Sequence, residues 1–129
     1  MSFRTADLCD EYEGRQTLQI AEPIFRTFGG HSVFKGTIST VKVFEDNVLI
    51  RSALEENGKN RVLVVDGGGS HRCALVGSDL ARLAADNQWA GIIIYGCIRD
   101  SVALGDLPIG IRALHTHPLK SHKRGTGDR

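Results

Sequence analysis

Three observations predict an α/β domain with a central sheet of largely parallel strands. Two short stretches, residues 61–65 (Arg-Val-Leu-Val-Val) and 92–95 (Ile-Ile-Ile-Tyr), are apolar almost without interruption, as strands buried on both faces of a covered sheet are. Between them Leu80, Leu83 and Ala84 recur at helical spacing. A strand–helix–strand series of this kind joins parallel strands through a right-handed crossover in nearly all proteins. The length of 129 residues and a hydrophobic content of 41% suit one core and one domain, residues 1–129.

The elements follow in order. Thr5 is a good N-cap, and Leu8 and Tyr12 stand four apart, which predicts a short helix stopped by Gly14. Pro23, Gly29 and Gly30 punctuate a loop-rich stretch in which Ile24, Phe25 and Phe28 are expected to cover an edge of the core. Residues 37–44 alternate imperfectly through Ile38, Val41, Val43 and Phe44 and read as a strand. Asp46 can cap the helix that follows, with Val48, Leu49 and Ala53 on one stripe and Asn57-Gly58 as its stop. The strand at 61–65 ends in Asp66-Gly67-Gly68-Gly69. A short strand over 73–76 leads into Gly77-Ser78-Asp79-Leu80, where Ser78 is a natural N-cap for a helix running to about Asn87. After Gly91, the run 92–95 ends in Gly96-Cys97-Ile98-Arg99-Asp100. The loops at Gly67 and Arg99 then share the carboxyl edge of the sheet, where open α/β sheets bind ligands.

Composition narrows the function classes. A formal charge of +1, from sixteen basic and fifteen acidic residues spread along the chain, argues against direct contact with nucleic acid through a basic face. Only Lys120-Ser121-His122-Lys123-Arg124 is locally basic, and it reads first as a solvated segment and second as an anion contact. No apolar run approaches the roughly eighteen residues of a membrane span, and residues 1–7 lack a signal-peptide pattern, so a cytoplasmic protein is expected. Cys9, Cys73 and Cys97 form neither a disulfide framework nor a Cys-x-x-Cys pair and read as free, partly buried thiols. His115 and His117 would share a face on a strand, but Pro118 follows and a third ligand is not evident, so a structural or surface role is the simpler reading.

Three glycines after a buried strand invite a phosphate-loop reading. The chain has neither Gly-Lys-Ser/Thr at the required spacing nor Gly-x-Gly-x-x-Gly opening a helix, and a tight bend needing positive φ explains glycine there. The helix starting near Ser78 directs unpaired N–H groups toward the same edge and would welcome a carboxylate. Arg99 can grip a carboxylate with two prongs or neutralise an oxyanion, and Asp100 offers a hard oxygen ligand for a divalent cation. Together these parts can bind an α-keto acid and stabilise an enolate, although an Arg-Asp pair is equally compatible with a solvated turn.

Several runs carry a family resemblance: 6–10 (Ala-Asp-Leu-Cys-Asp), 28–30 (Phe-Gly-Gly), 40–47 (Thr-Val-Lys-Val-Phe-Glu-Asp-Asn), 61–70 (Arg-Val-Leu-Val-Val-Asp-Gly-Gly-Gly-Ser) and 95–100 (Tyr-Gly-Cys-Ile-Arg-Asp). In order and spacing the chain resembles the regulator of ribonuclease activity A family, which is related to class II 4-hydroxy-4-methyl-2-oxoglutarate aldolases. The resemblance implies a ββα swivelling-domain fold, a central sheet flanked by helices, and a homotrimer with sites between subunits. It also implies a divalent cation, Mg2+ or Mn2+, and a small 2-oxo acid as substrate. Carried over, Arg99 is the catalytic and substrate-binding arginine, Asp100 the metal ligand, and Gly77, Ser78, Asp79 and Leu80 the loop that binds the pyruvyl end. Where those aldolases have an additional Asp, this chain has Ser78, with Asp79 one position later. Relatives continue beyond the segment resembling residues 120–129 into further strands, so the domain is expected to lack those strands here. Two functions are implied: a metal-dependent lyase with aldolase or oxaloacetate decarboxylase activity, or a protein that binds and restrains an RNA-processing endonuclease complex.

Overall fold

The computed structural model describes residues 3–129. Its elements are α1 (Thr5–Tyr12), β1 (Arg26–Thr27), β2 (Thr37–Lys42), α2 (Val48–Leu54), β3 (Arg61–Asp66), β4 (Ala74–Val76), α3 (Ser78–Asp86), β5 (Gly91–Ile98), α4 (Ser101–Leu104) and β6 (Gly110–Thr116). One sheet runs in the order β1-β6-β5-β3-β2, with β4 paired to β5 off that path. The pairs β2–β3, β3–β5, β4–β5 and β5–β6 are parallel, and only β1 runs antiparallel, against β6. The expected α/β architecture, a central sheet flanked by helices, is what the chain adopts.

The main strands advance across the sheet in a single direction, so right-handed crossovers bring all three connecting helices to the same face. There α3 packs between α2 and α4. The core lies between helices and sheet: Ile50 and Leu54 from α2, Leu80, Ala81 and Ala84 from α3, Leu104 from α4, and Leu63, Val65, Ile92, Ile94 and Ile111 from the strands. The two apolar stretches of the sequence are therefore the two central strands, β3 and β5.

Trp89 closes one end of this core. It is 2% exposed, and its indole N–H is shared between the carbonyls of Leu54 at 3.3 Å and Glu56 at 3.2 Å. Gly58 lies against its ring, where any Cβ would collide, and the Arg61 guanidinium covers it at 4.4 Å. Trp89→Ala is expected to cost about 3–5 kcal/mol, the usual range for emptying a large buried aromatic site. A urea unfolding midpoint measures it.

Five expectations need correction. Helix α2 stops at Leu54, before Asn57-Gly58, and buries Ile50, Ala53 and Leu54 rather than Val48 and Leu49. Helix α1 begins after an Arg4 N-cap rather than at a Thr5 cap and buries no residue, leaving Leu8 and Tyr12 exposed. Phe28 packs on the core, but Ile24 is exposed. Strand β2 stops at Lys42, short of Phe44, because Glu45 turns the chain at a φ of 55° and leaves Phe44 at the surface. Ser78 is not the N-cap of α3; it is the first helical residue after Gly77. The short β1 and the strand β6 were not anticipated.

Candidate active site

Strand β5 is longer than its neighbour β3, and this mismatch builds the site. Residues Gly91 to Tyr95 pair with β3, whereas Cys97 and Ile98 pair with β4, which takes over alongside β5 once β3 has turned away. The chain leaving β4 at Gly77 thus emerges beside the chain leaving β5 at Arg99, and the Arg99 N–H donates to the Val76 carbonyl at 3.0 Å. Gly77 is needed for this approach. A Cβ there would come 2.8 Å from Asp100 Oδ2, so that the carboxylate would have to shift, and would press on Arg99 Cγ at 3.2 Å.

Asp100 replaces the missing cap of α3. No side chain of the helix's own N-terminus caps it; instead the Ser78 N–H donates to Asp100 Oδ2 at 2.9 Å across the loop. To do so Asp100 adopts a left-handed backbone, φ 60° and ψ 39°, a conformation that aspartate and asparagine tolerate better than most residues. The Ser78 backbone hydrogen bond holds its carboxyl below the ordinary aspartate value, helped by the Ser78 hydroxyl and the Arg99 charge and opposed by partial burial. Asp100 is therefore an ionised, exposed carboxylate at neutral pH.

These residues open onto a cleft of about 200 Å³ lined by Asn47, Val48, Arg51, Ala74, Leu75, Gly77, Ser78, Asp79, Leu80, Arg99, Asp100, Lys120 and Lys123. All six positions singled out in the sequence, Gly77 to Leu80, Arg99 and Asp100, meet there. The side chain of Leu80 is buried in the core at 6% exposure, which leaves its backbone as the part that can serve the cleft. Arg99 reaches toward the Pro118 carbonyl at 3.4 Å.

The sequence reading missed Asn47, Arg51, Lys120 and Lys123. Asn47 is fixed by its amide, which donates to the Leu75 carbonyl at 3.0 Å. Lys120 and Lys123 belong to the segment read first as solvated; their local charge was the one signal that could have placed them. The loop Gly67 to Gly69 shares the sheet edge but does not line the cleft. Its three N–H groups are taken by Tyr95 O, Asp66 Oδ1 and Tyr95 O; positive φ of 69° and 71° accounts for Gly68 and Gly69, and close approach accounts for Gly67, where a Cβ would stand 2.6 Å from Leu75 Cδ1 and 2.7 Å from the Tyr95 carbonyl oxygen. His115 and His117 also lie outside the cleft, their Nδ1 atoms accepting the N–H groups of Thr116 and Leu119. Cys9, Cys73 and Cys97 are free thiols; burial pushes Cys73 and Cys97 up.

Comparison with known proteins gives the family and the fold. The RraA-like family model, described as Aldolase/RraA, matches residues 5–129. The chain belongs to the RraA-like family. A relative from Methylococcus capsulatus named "Putative 4-hydroxy-4-methyl-2-oxoglutarate aldolase" is 67% identical over all of this chain and 80% of its own length. The RraA-like fold recurs in the structure of the RNA-processing inhibitor RraA from Thermus thermophilis, with TM-score 0.93 and 47% identity over 99% of this chain and 76% of that one. A Geobacillus kaustophilus structure described as an S-adenosylmethionine: 2-dimethylmenaquinone methyltransferase has TM-score 0.93 and 52% identity, covering 98% and 78% of the two chains. Among the described residues no helix is long and apolar enough to cross a membrane.

Proposed function

We propose that this chain supplies the active centre of a divalent-metal-dependent lyase for short 2-oxo dicarboxylates, of the 4-hydroxy-4-methyl-2-oxoglutarate aldolase and oxaloacetate decarboxylase type. The observation that carries the reading is the charge of the cleft: four cations, Arg51, Arg99, Lys120 and Lys123, against two carboxylates, Asp79 and Asp100. A helix N-terminus opens into the same space, and anions are favoured there. A dianion of a few carbon atoms suits that charge and a volume of about 200 Å³. The same cations would repel a sulfonium methyl donor, which makes methyl transfer the poorer fit to the cleft.

The donor set fits a magnesium-like ion. Among the described residues no group of three or more His, Cys, Asp or Glu side chains converges, but Mg2+ typically keeps several waters and uses only one or two carboxylates. Asp100 would hold Mg2+ or Mn2+, with Asp79 the other carboxylate in the cleft. A cation bound there supplies a Lewis acid for the keto oxygen. The chain's own groups do the rest. Arg99 pairs with negative charge on the substrate, first as carboxylate and then as enolate oxygen, and the first-turn N–H groups of Asp79 and Leu80 receive the pyruvyl carboxylate.

Retro-aldol cleavage also needs a base within hydrogen-bond reach of the substrate hydroxyl, whereas decarboxylation does not: the bond to the leaving carboxylate breaks, carbon dioxide departs and its electron pair becomes the pyruvate enolate. Ser78 stands where the aldolases have an acid, and no histidine lines the cleft. Metal-dependent loss of oxaloacetate should therefore outrun cleavage of 4-hydroxy-4-methyl-2-oxoglutarate, and Ser78→Asp should raise the aldolase rate more than the decarboxylase rate. Coupled assays of pyruvate release with and without Mg2+ measure both. Faster aldol cleavage by the unaltered protein would sink the argument from Ser78.

A homotrimer in the cytoplasm is part of this proposal; Leu8 and Tyr12 of α1 are exposed, which suits a contact between subunits. The alternative, a protein that restrains an RNA-processing endonuclease, is favoured by the name of the Thermus structure. Absence of metal-dependent oxaloacetate loss, together with inhibition of such an endonuclease by the protein, would decide for it.

A further inference from the structure

Residues 119–128 form a strap tied down at three places. At its start, the Ala74 N–H on β4 donates to the Leu119 carbonyl at 2.7 Å. Near its end, Lys42 of β2 and Asp128 exchange both backbone hydrogen bonds, at 2.7 and 2.8 Å. The middle tie is a side chain. Asp46 is completely buried, and its Oδ2 accepts the N–H groups of Arg124 at 2.9 Å and Thr126 at 3.1 Å and the Thr126 hydroxyl at 3.3 Å. Its Oδ1 accepts the Val48 N–H at 3.0 Å at the start of α2. One carboxylate therefore joins the strap to the helix that brings Val48 and Arg51 to the cleft, while Lys120 and Lys123, on the stretch between the first two ties, line the same cleft.

We infer that Asp46 is a positioning residue for ligand binding: by fixing Arg124 and Thr126 it holds Lys120 and Lys123 at the cleft, where they take the second carboxylate of a dicarboxylate. A buried carboxylate is costly unless its lone pairs are filled, and its four donors come from two segments, so its hydrogen bonds are satisfied only when the strap is docked. Lysine side chains are flexible, and a ligand bound by them gains affinity when the backbone that carries them is already in place. Asp46 touches no ligand itself; it acts through the strap. The inference rests on the proposed 2-oxo dicarboxylate site for its ligand and on the hydrogen bonds alone for the anchoring.

The test uses Asp46→Asn, which keeps size and one acceptor oxygen but turns an amide N–H2 toward one set of donors, and Thr126→Val, which removes only the hydroxyl donor. Amide hydrogen exchange on the whole protein should quicken at Arg124, Thr126 and through residues 120–123 in Asp46→Asn, while β3 and β5 stay protected. Titration in the presence of Mg2+ should show 2-oxoglutarate, a dianion without the scissile hydroxyl, binding about tenfold more weakly, with pyruvate within about twofold. Thr126→Val should move both readouts in the same direction by less. Adding Lys123→Met to Asp46→Asn should cost little beyond either change alone. Unchanged exchange along the strap overturns the anchoring, as does equal weakening of both ligands in a folded Asp46→Asn protein. Should Asp46→Asn fail to fold, Thr126→Val alone decides, and an unaltered 2-oxoglutarate-to-pyruvate affinity ratio in it counts against the inference. If the unaltered protein binds neither acid while the strap loosens as expected, the lyase reading fails and the anchoring by Asp46 stands.

Discussion

Asp100→Asn should abolish metal-dependent turnover while leaving the fold in place. Asparagine tolerates the left-handed backbone at φ 60°, and its amide oxygen can still accept the Ser78 N–H that now bonds Asp100 Oδ2 at 2.9 Å. What it loses is the negative charge. A neutral amide oxygen is a poor substitute for a carboxylate facing a hard dication, so the Mn2+ dissociation constant should rise by at least about tenfold and turnover should fall by about 100-fold or more. Asp100→Ala is a less clean change than the sequence suggests. It removes the cap of α3, typically worth about 1 kcal/mol, and places alanine at positive φ, which adds strain. Manganese titration and a thermal melt on both variants separate the two effects: Asn should lose metal with little change in melting temperature, and Ala should lose both. Equal Mn2+ affinity in Asp100→Asn and the unaltered protein would remove Asp100 from the site.

The pH dependence of that cap has a definite sign. Asp100 is held below its ordinary value by the Ser78 hydrogen bond, so the folded state prefers the ionised form more than the unfolded chain does. The stabilisation is present in full above the unfolded value of 3.8 and is lost as pH falls through the lower folded value. Neither the cap nor the charge of Asp100 should titrate near neutrality.

Most of the architecture could be read from the sequence, because its central strands and helices carry local signals. The runs at 61–65 and 92–95 are apolar for a local reason: both strands are central, so they needed no partner to be recognised. Strand β6 was missed because Arg112 and His115 break up its apolar run, leaving Ile111 and Ala113 to mark the buried face, and its identity comes from pairing with β5. The pair Arg99 and Asp100 and the turn 77–80 were found from local chemistry and chain order. Ser78 was misread as a cap because an N-terminal serine usually caps; here Asp100, 22 residues away, does that work. Arg51, Lys120 and Lys123 could not be joined to the site from sequence: Arg51 comes from α2, and the two lysines lie on the strap whose Arg124 N–H is held by Asp46, 78 residues away.

Arg99→Lys is expected to be nearly as damaging as loss of the metal ligand, although it conserves charge. Arg99 follows the end of β5 directly, its backbone N–H is spent on Val76 O, and its side chain runs past Gly77, where an added Cβ would stand 3.2 Å from Cγ and 3.4 Å from Nε. The guanidinium is thus delivered to the cleft by a main chain pinned on one side and a side chain confined on the other. It presents a planar fork that can meet a carboxylate with two parallel N–H donors, while its contact with the Pro118 carbonyl, 3.4 Å long, is weak enough to yield to a ligand. Lysine supplies a single point charge on a flexible stem, without the fork and without the plane that matches a carboxylate or an enolate. Losing one preorganised donor of this kind typically costs about 100-fold. The loss should appear in kcat as well as in kcat/KM, because charge accumulates on the enolate after binding and a group that served only the ground state would raise KM alone. Near-normal kinetics in Arg99→Lys would return Arg99 to the status of a solvated turn and leave the cationic face of the cleft to Arg51, Lys120 and Lys123.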